Sequence, residues 1–217
     1  MSVRTTAVCL VAAPIAGLVG TLAMPGLDGT PTEQLEALAA GGSMFLIANA
    51  ALLLCFVLFA LGLSGLAHAS DGRRGAWWRV LATSAVTAAV GWILHAAVVG
   101  YGMSRLSMAA AGVLDSSAPV VETLYDGSAF LMLLLPMLAT TVVGTIGLSV
   151  GLWRTGLAPW WGALLVVLGL AADFVAPDGI SGIAMFALMA VGLFTCAVRL
   201  IARRPAVSEQ PEQAVTV

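Results

Sequence analysis

Six times along this chain an apolar run of roughly 20 residues passes with scarcely a charge, and that is the length a helix needs to cross a bilayer. The runs cover about 6–23, 43–67, 77–100, 128–152, 158–176 and 180–201. None alternates with a period of two, which argues against a β-barrel. In hydrocarbon every backbone N–H and C=O must be satisfied within the protein, and helices do this alone. Composition agrees: 60% of the 217 residues are hydrophobic and 9% are charged, against roughly 25% charged in soluble domains. The expected fold is all-α, a polytopic membrane bundle of six transmembrane helices. Residues 1–203 form a single transmembrane domain, and the Pro-, Gln- and Glu-bearing tail 204–217 is expected to be disordered in the cytoplasm.

The arginines give the bundle a direction. Arg4 precedes the first run, Arg73, Arg74 and Arg79 flank the third, Arg154 lies between the fourth and fifth, and Arg199, Arg203 and Arg204 end the sixth. Only Arg105 falls on the opposite side, so eight of nine arginines share one face of the membrane. The positive-inside rule makes that face, with both termini, cytoplasmic. Trp77, Trp78, Trp153, Trp160 and Trp161 cluster at the same ends, where indoles favour the headgroup region, and only Trp92 lies deep in a run. An alternative for residues 1–23 is a cleaved signal peptide, since Arg4, an apolar stretch and "TLA" fit one. Cleavage leaves the orientation of the rest unchanged.

The connections carry signals of their own. "GTPTEQLEALAAGG" places Thr30 as N-cap, Pro31 at the first helical position and Glu33 three residues past the cap, a capping box. This predicts a short extra helix over about 31–40 in the first outer loop, ended by Gly41 and Gly42. Residues 102–112 are expected to lie at the membrane interface. From Ser117 the fourth helix is expected to start early, with Pro119 in its first turn. Pro14 and Pro136 fall within runs and are expected to kink their helices.

Several chemistries are excluded by what is missing or scattered. The chain has no lysine, which removes the P-loop and the Schiff-base enzymes. Cys9, Cys55 and Cys196 are far apart in separate apolar runs, so they read as packing residues rather than a disulfide framework or metal site. The net charge of −2 gives no reason to expect nucleic acid. No cofactor and no metal are expected, and the partners implied are the lipid bilayer and a small-molecule or lipid ligand.

With the orientation set, the polar residues of the runs fall in the outer third. Asn49 is six residues into the second run, His95 five from the outer end of the third, and Asp173 three from that of the fifth. Glu122 and Asp126 stand at the outer mouth of the fourth, with Tyr101 and Tyr125 nearby. Glu122 and Asp126 are four apart, on one helix face, and two such carboxylates near low dielectric resist joint ionisation. Intramembrane ionisable residues are functional candidates by default. The structural alternatives are solvated acids at a helix start for Glu122 and Asp126, and an interhelical hydrogen bond for Asn49.

Two motifs were weighed for chemistry. "GLSG" at 62–65 resembles the serine motif of rhomboid proteases, but Ser64 and His95 differ in depth by most of a bilayer. "GLSVG" at 147–151 is a small-xxx-small helix-packing pattern. The stretch "VGLWRTGLAPWWGALLVVLGL" then resembles a group of small six-span bacterial membrane proteins of unknown function, over about residues 130–200. That resemblance implies the fold and carries no site residues, while the bias to Arg, Ala, Gly and Val suggests a high-GC bacterial genome and so the bacterial inner (plasma) membrane.

The function expected is an outward-opening polar pocket of Asn49, His95, Asp173 and their aromatic neighbours Trp92, Tyr101 and Tyr125. It would bind a small cation, a proton or an amphiphile. The rival is an intramembrane enzyme on a lipid or isoprenoid, resembling terpene cyclases in its parts. There Asp126 or Glu122 would be the general acid and Trp92, Tyr101 and Tyr125 the cation-stabilising rings. A third is a structural or immunity-type membrane protein.

Overall fold

In the computed structural model the described residues are 1–24, 30–70, 73–110, 128–175 and 180–203. They form six helices: α1 (Val3–Ala23), α2 (Pro31–Ser70), α3 (Ala76–Ala110), α4 (Ser128–Arg154), α5 (Trp160–Val175) and α6 (Ser181–Ala202). Five contain stretches long and apolar enough to cross a membrane. The exception is α5, which has 16 residues and so spans about 24 Å at 1.5 Å per residue.

The helices stand as an up-and-down ring. Each packs on its two sequence neighbours, and α1 also meets α6, so the ring closes. The α4–α5 seam is the thinnest of the six contacts. The outer surface is apolar, unlike that of a soluble protein. Leu54, Val57, Leu61, Val90, Ile93, Leu135, Val143, Leu164 and Phe194 all face outward, which only a lipid surround makes inexpensive. Inside, Leu10, Phe59, Leu63, Leu81, Leu152, Phe186 and Leu193 make one continuous core.

Lipid tails are as apolar as leucine, so burial gives helices little reason to associate in a bilayer and close packing must do it. The α3–α4 contact shows how close. A Cβ on Gly144 would stand 2.7 Å from the Cα of Ala88, and one on Gly91 would stand 2.7 Å from the amide nitrogen of Thr141. A Cβ on Gly151 would meet the Cα of Leu81 at 2.8 Å. The backbones touch, in antiparallel register, over three turns. The same device joins α5 to α6, where a Cβ on Gly192 would lie 2.6 Å from the Gly162 carbonyl oxygen.

Several local expectations can be set beside the structure. Helix α2 is interrupted at Gly42, whose φ of 47° and ψ of −118° no side chain tolerates well. Ahead of that break, Glu33 Oε2 accepts from the Thr30 amide at 2.6 Å and the Thr30 hydroxyl at 2.9 Å. The Glu33 amide donates back to Thr30 Oγ1 at 3.4 Å. Residues 102–110 are helical and continuous with α3, which runs past the end of the apolar run at 100. Gly100 and Gly102 do not break that helix, and Ser107 Oγ donates back to the Met103 carbonyl at 2.8 Å. Pro14 and Pro136 sit inside uninterrupted helices. The early start of the fourth helix at Ser117–Pro119 and the tail from 204 lie outside the described residues. All three cysteines are buried and unpaired.

The connection from α4 to α5 is a tight turn. Gly156 takes φ 70°, Leu157 and Ala158 are buried, and the last α6 arginines reach back to it. Arg203 Nη1 donates to the Thr155 carbonyl at 2.9 Å, and Arg203 Nη2 and Arg199 Nη1 donate to that of Gly156 at 2.9 and 3.2 Å. Cations on carbonyls at a helix C-terminus are favoured by the helix dipole as well.

Two outcomes follow from this packing. Gly144→Leu should lower the stability of the detergent-purified protein by about 1–3 kcal/mol or more, read as a fall in thermal midpoint, while Val143→Leu on the lipid face should leave it unchanged. The bonds from Thr30 hold the Glu33 carboxyl below its ordinary value. Because the folded value is depressed, the cap's contribution is present above the ordinary carboxylate range and is lost as pH falls through the lowered one. Hydrogen exchange of the 32–35 amides should therefore accelerate, beyond its intrinsic pH dependence, on acidification in the native chain and not in Glu33→Gln.

Candidate functional site

The polar residues and deep aromatics of the sequence meet where α2, α3 and α4 come together. Residues 49, 52, 56, 59, 63 and 66 of α2 step by three and four, so they share one face. Phe56 and Phe59 on that face meet α3. Trp92 stacks on Phe59 with ring centroids 4.5 Å apart and on Phe56 at 5.6 Å. His95, one turn further along α3, lies 5.0 Å from the Trp92 ring and 5.5 Å from Phe56. Offset ring contacts of this kind add about 0.5–1.5 kcal/mol each to plain burial.

On its other side His95 meets α4. Its Nδ1 stands 3.3 Å from the Gly91 carbonyl oxygen and 3.4 Å from Thr141 Oγ1. A carbonyl only accepts, so this contact selects the tautomer with hydrogen on Nδ1, leaving Nε2 as a lone-pair acceptor. Thr141 can come this near because Gly91 has no side chain to hold α4 away. The backbone contact and the polar contact are thus one feature.

Asn49 is on the same α2 face, seven residues from Phe56 toward the far end, which is about 10 Å along the axis. Its side chain is half-buried, and its Oδ1 is buried with no hydrogen-bond partner among the described residues. An acceptor left so costs about 1–3 kcal/mol. Tyr101 is exposed at the far end of α3. Asp173 is exposed near the end of α5, and α5 is flanked by α4 and α6 rather than by α3. Glu122, Tyr125 and Asp126 lie outside the described residues. So the structure sets His95 against Trp92, places Asn49 further out on the facing helix, and leaves Asp173 on another part of the ring.

Other polar residues on α4 escaped the sequence reading. Thr141, Thr145 and Ser149 are all buried, and Ser149 Oγ has no partner. Their spacing of four was the available signal, since it lays all three hydroxyls along one face. Ser64, weighed as a nucleophile, is exposed on α2. It is eight residues along from Phe56, the residue level with His95, or about 12 Å away along the axis. Among the described residues no three His, Cys, Asp or Glu side chains converge as metal ligands would. Comparison with protein families, curated proteins and solved structures finds no match to this chain.

Proposed function

We propose that this is a multi-pass protein of a bacterial inner membrane, with both termini cytoplasmic, that binds a small hydrogen-bond-donating cation or a proton from the outer side. The observation that carries the reading is the Asn49 Oδ1, buried without a partner on the α2 face that also meets His95. With the Nδ1–H tautomer, His95 offers a second acceptor at Nε2, about 10 Å from Asn49 along the helix axis. A partnerless acceptor in an apolar surround suits an ammonium-type group, hydronium or a protonated amphiphile. Asp173, Tyr101 and the acids Glu122 and Asp126, all placed toward the outer side by the arginine asymmetry, add negative and acceptor character to the approach.

The isoprenoid-enzyme reading draws less support. Its deepest ring, Trp92, is 3% exposed and stacked against two phenylalanines, so its surface serves packing rather than a substrate cation. The orientation rests on the eight arginines of one side, several of which pair with indoles at that end. Arg73 stands 4.4 Å over Trp78, and Arg154 lies 4.5 Å from Trp77.

The binding reading is tested with dodecylammonium as probe, titrated calorimetrically into protein purified in a neutral detergent. Asn49→Leu and His95→Phe should each weaken binding by about tenfold, while Asn49→Leu leaves stability equal or raised because it removes an unsatisfied acceptor. Wild-type affinity in both variants would sink the reading. For the orientation, Asp115→Cys should react with a membrane-impermeant maleimide added to intact cells, and Arg154→Cys only after permeabilisation. The reverse pattern would invert the topology.

A further inference from the structure

The arginine-bearing end holds a second feature, separate from the His95 region. Between the end of α2 and the start of α3 lies an open groove of about 620 Å³, lined by His68, Ser70, Arg73, Trp78, Arg79, Ala82, Thr83, Val86 and Thr87 among others. We propose that it is a binding site for an anionic glycerophospholipid of the adjacent leaflet, with the lipid phosphate held by Arg73 and Arg79.

The groove is graded as an amphiphile is. Its mouth carries two guanidinium groups, an imidazole and an indole, and no carboxylate lines it among the described residues. Arg73 stands over the Trp78 ring, its Cζ 4.4 Å from the ring centroid. Stacking occupies the face of a guanidinium and leaves its in-plane N–H donors free, which is the geometry that grips a phosphate with two hydrogen bonds. Neither Arg73 nor Arg79 has an ion-pair partner among the described residues.

Deeper along α3 the lining turns to Ala82, Thr83, Val86 and Thr87. Thr83 Oγ1 donates to the Arg79 carbonyl at 2.9 Å, and Thr87 Oγ1 donates to that of Thr83 at 2.9 Å. With those donors spent on their own helix, the deep part requires no polar guest and accepts an acyl chain. The Ser70 hydroxyl is likewise committed, to the Leu66 carbonyl at 2.8 Å. Among the described residues the charge at this groove is therefore cationic and lies toward its end of the bundle, where basic pockets between helices recruit acidic lipids.

Native mass spectrometry of the purified full chain tests this, with phosphatidylglycerol, phosphatidylcholine or inorganic phosphate added in turn. Phosphatidylglycerol should stay bound at least about tenfold better than phosphatidylcholine, and millimolar inorganic phosphate should not displace it. Arg73→Gln with Arg79→Gln should remove that preference, while Arg4→Gln with Arg105→Gln, an equal loss of charge elsewhere, should keep it. Equal retention of both lipids by the native chain, or equal loss in both double variants, overturns the site. Displacement by inorganic phosphate overturns the lipid assignment. If the double variant does not purify as a folded species, Arg79→Gln alone carries the same test, because that side chain makes no hydrogen bond among the described residues that its loss would break.

Discussion

The contact on which most of this structure depends is the one between the backbones of α3 and α4. Helices in lipid gain little from hiding apolar surface, so they are held by how closely they can lie. Gly91, Gly144 and Gly151 let the two backbones touch at three levels. That fixes the rotation of each helix, and the rotation decides everything else along the pair. It turns Thr141 toward His95, presents Trp92 to α2, and leaves Val143 and Ile146 to the lipid. Remove the closeness and the polar centre loses its geometry, although no residue of that centre has changed.

Polarity in this protein is arranged by height rather than by inside and outside. At one end arginines and tryptophans interleave, with Arg73 on Trp78 and Arg154 between Trp77 and Trp153. Toward the other stand acceptors: Asn49, His95 and Asp173. The middle is given to packing, where Phe59, Leu63, Leu81 and Phe186 fill the ring. The two sites proposed above would then lie toward opposite ends of one short bundle, acceptors for a cation at one and guanidinium groups for a phosphate at the other. The distance between them lets each be altered without disturbing the other.

The helices themselves could be read from the sequence because the bilayer imposes their length. The six apolar runs lie close to the six helices, and the capping box at Thr30 and Glu33 was legible because a cap is a contact between residues three apart. Rotation was not legible. A helix that is apolar on every side gives no stripe to say which face turns inward, so sequence alone left Asn49, His95 and Asp173 as one group at one depth. The ring order separates Asp173 from His95, and that order is set by contacts between distant residues such as Gly144 and Ala88. The break at Gly42 fell where paired glycines end a capped segment, whereas the continuation of α3 through 102–110 went against a run of small residues that looked like a boundary. The buried hydroxyls of Thr141, Thr145 and Ser149 were hidden for another reason. A threonine in a membrane helix ordinarily bonds its own backbone, as Thr87 and Thr140 do, and so attracts no notice.

The turn between α4 and α5 is held by arginines of α6, and α6 also supplies the contact that joins α5 to α1. Read in the order of synthesis, this has a plain consequence. Until the sixth helix has been made, the first five can form only an open row, with α1 and α5 each lacking a neighbour and the carbonyls of Thr155 and Gly156 still without those guanidinium donors. The sixth helix, once made, completes the circle and secures its weakest junction in the same act. A nascent chain arrested before Ser181 would present its two unmatched flanks to the surrounding lipid and to whatever other helices share it.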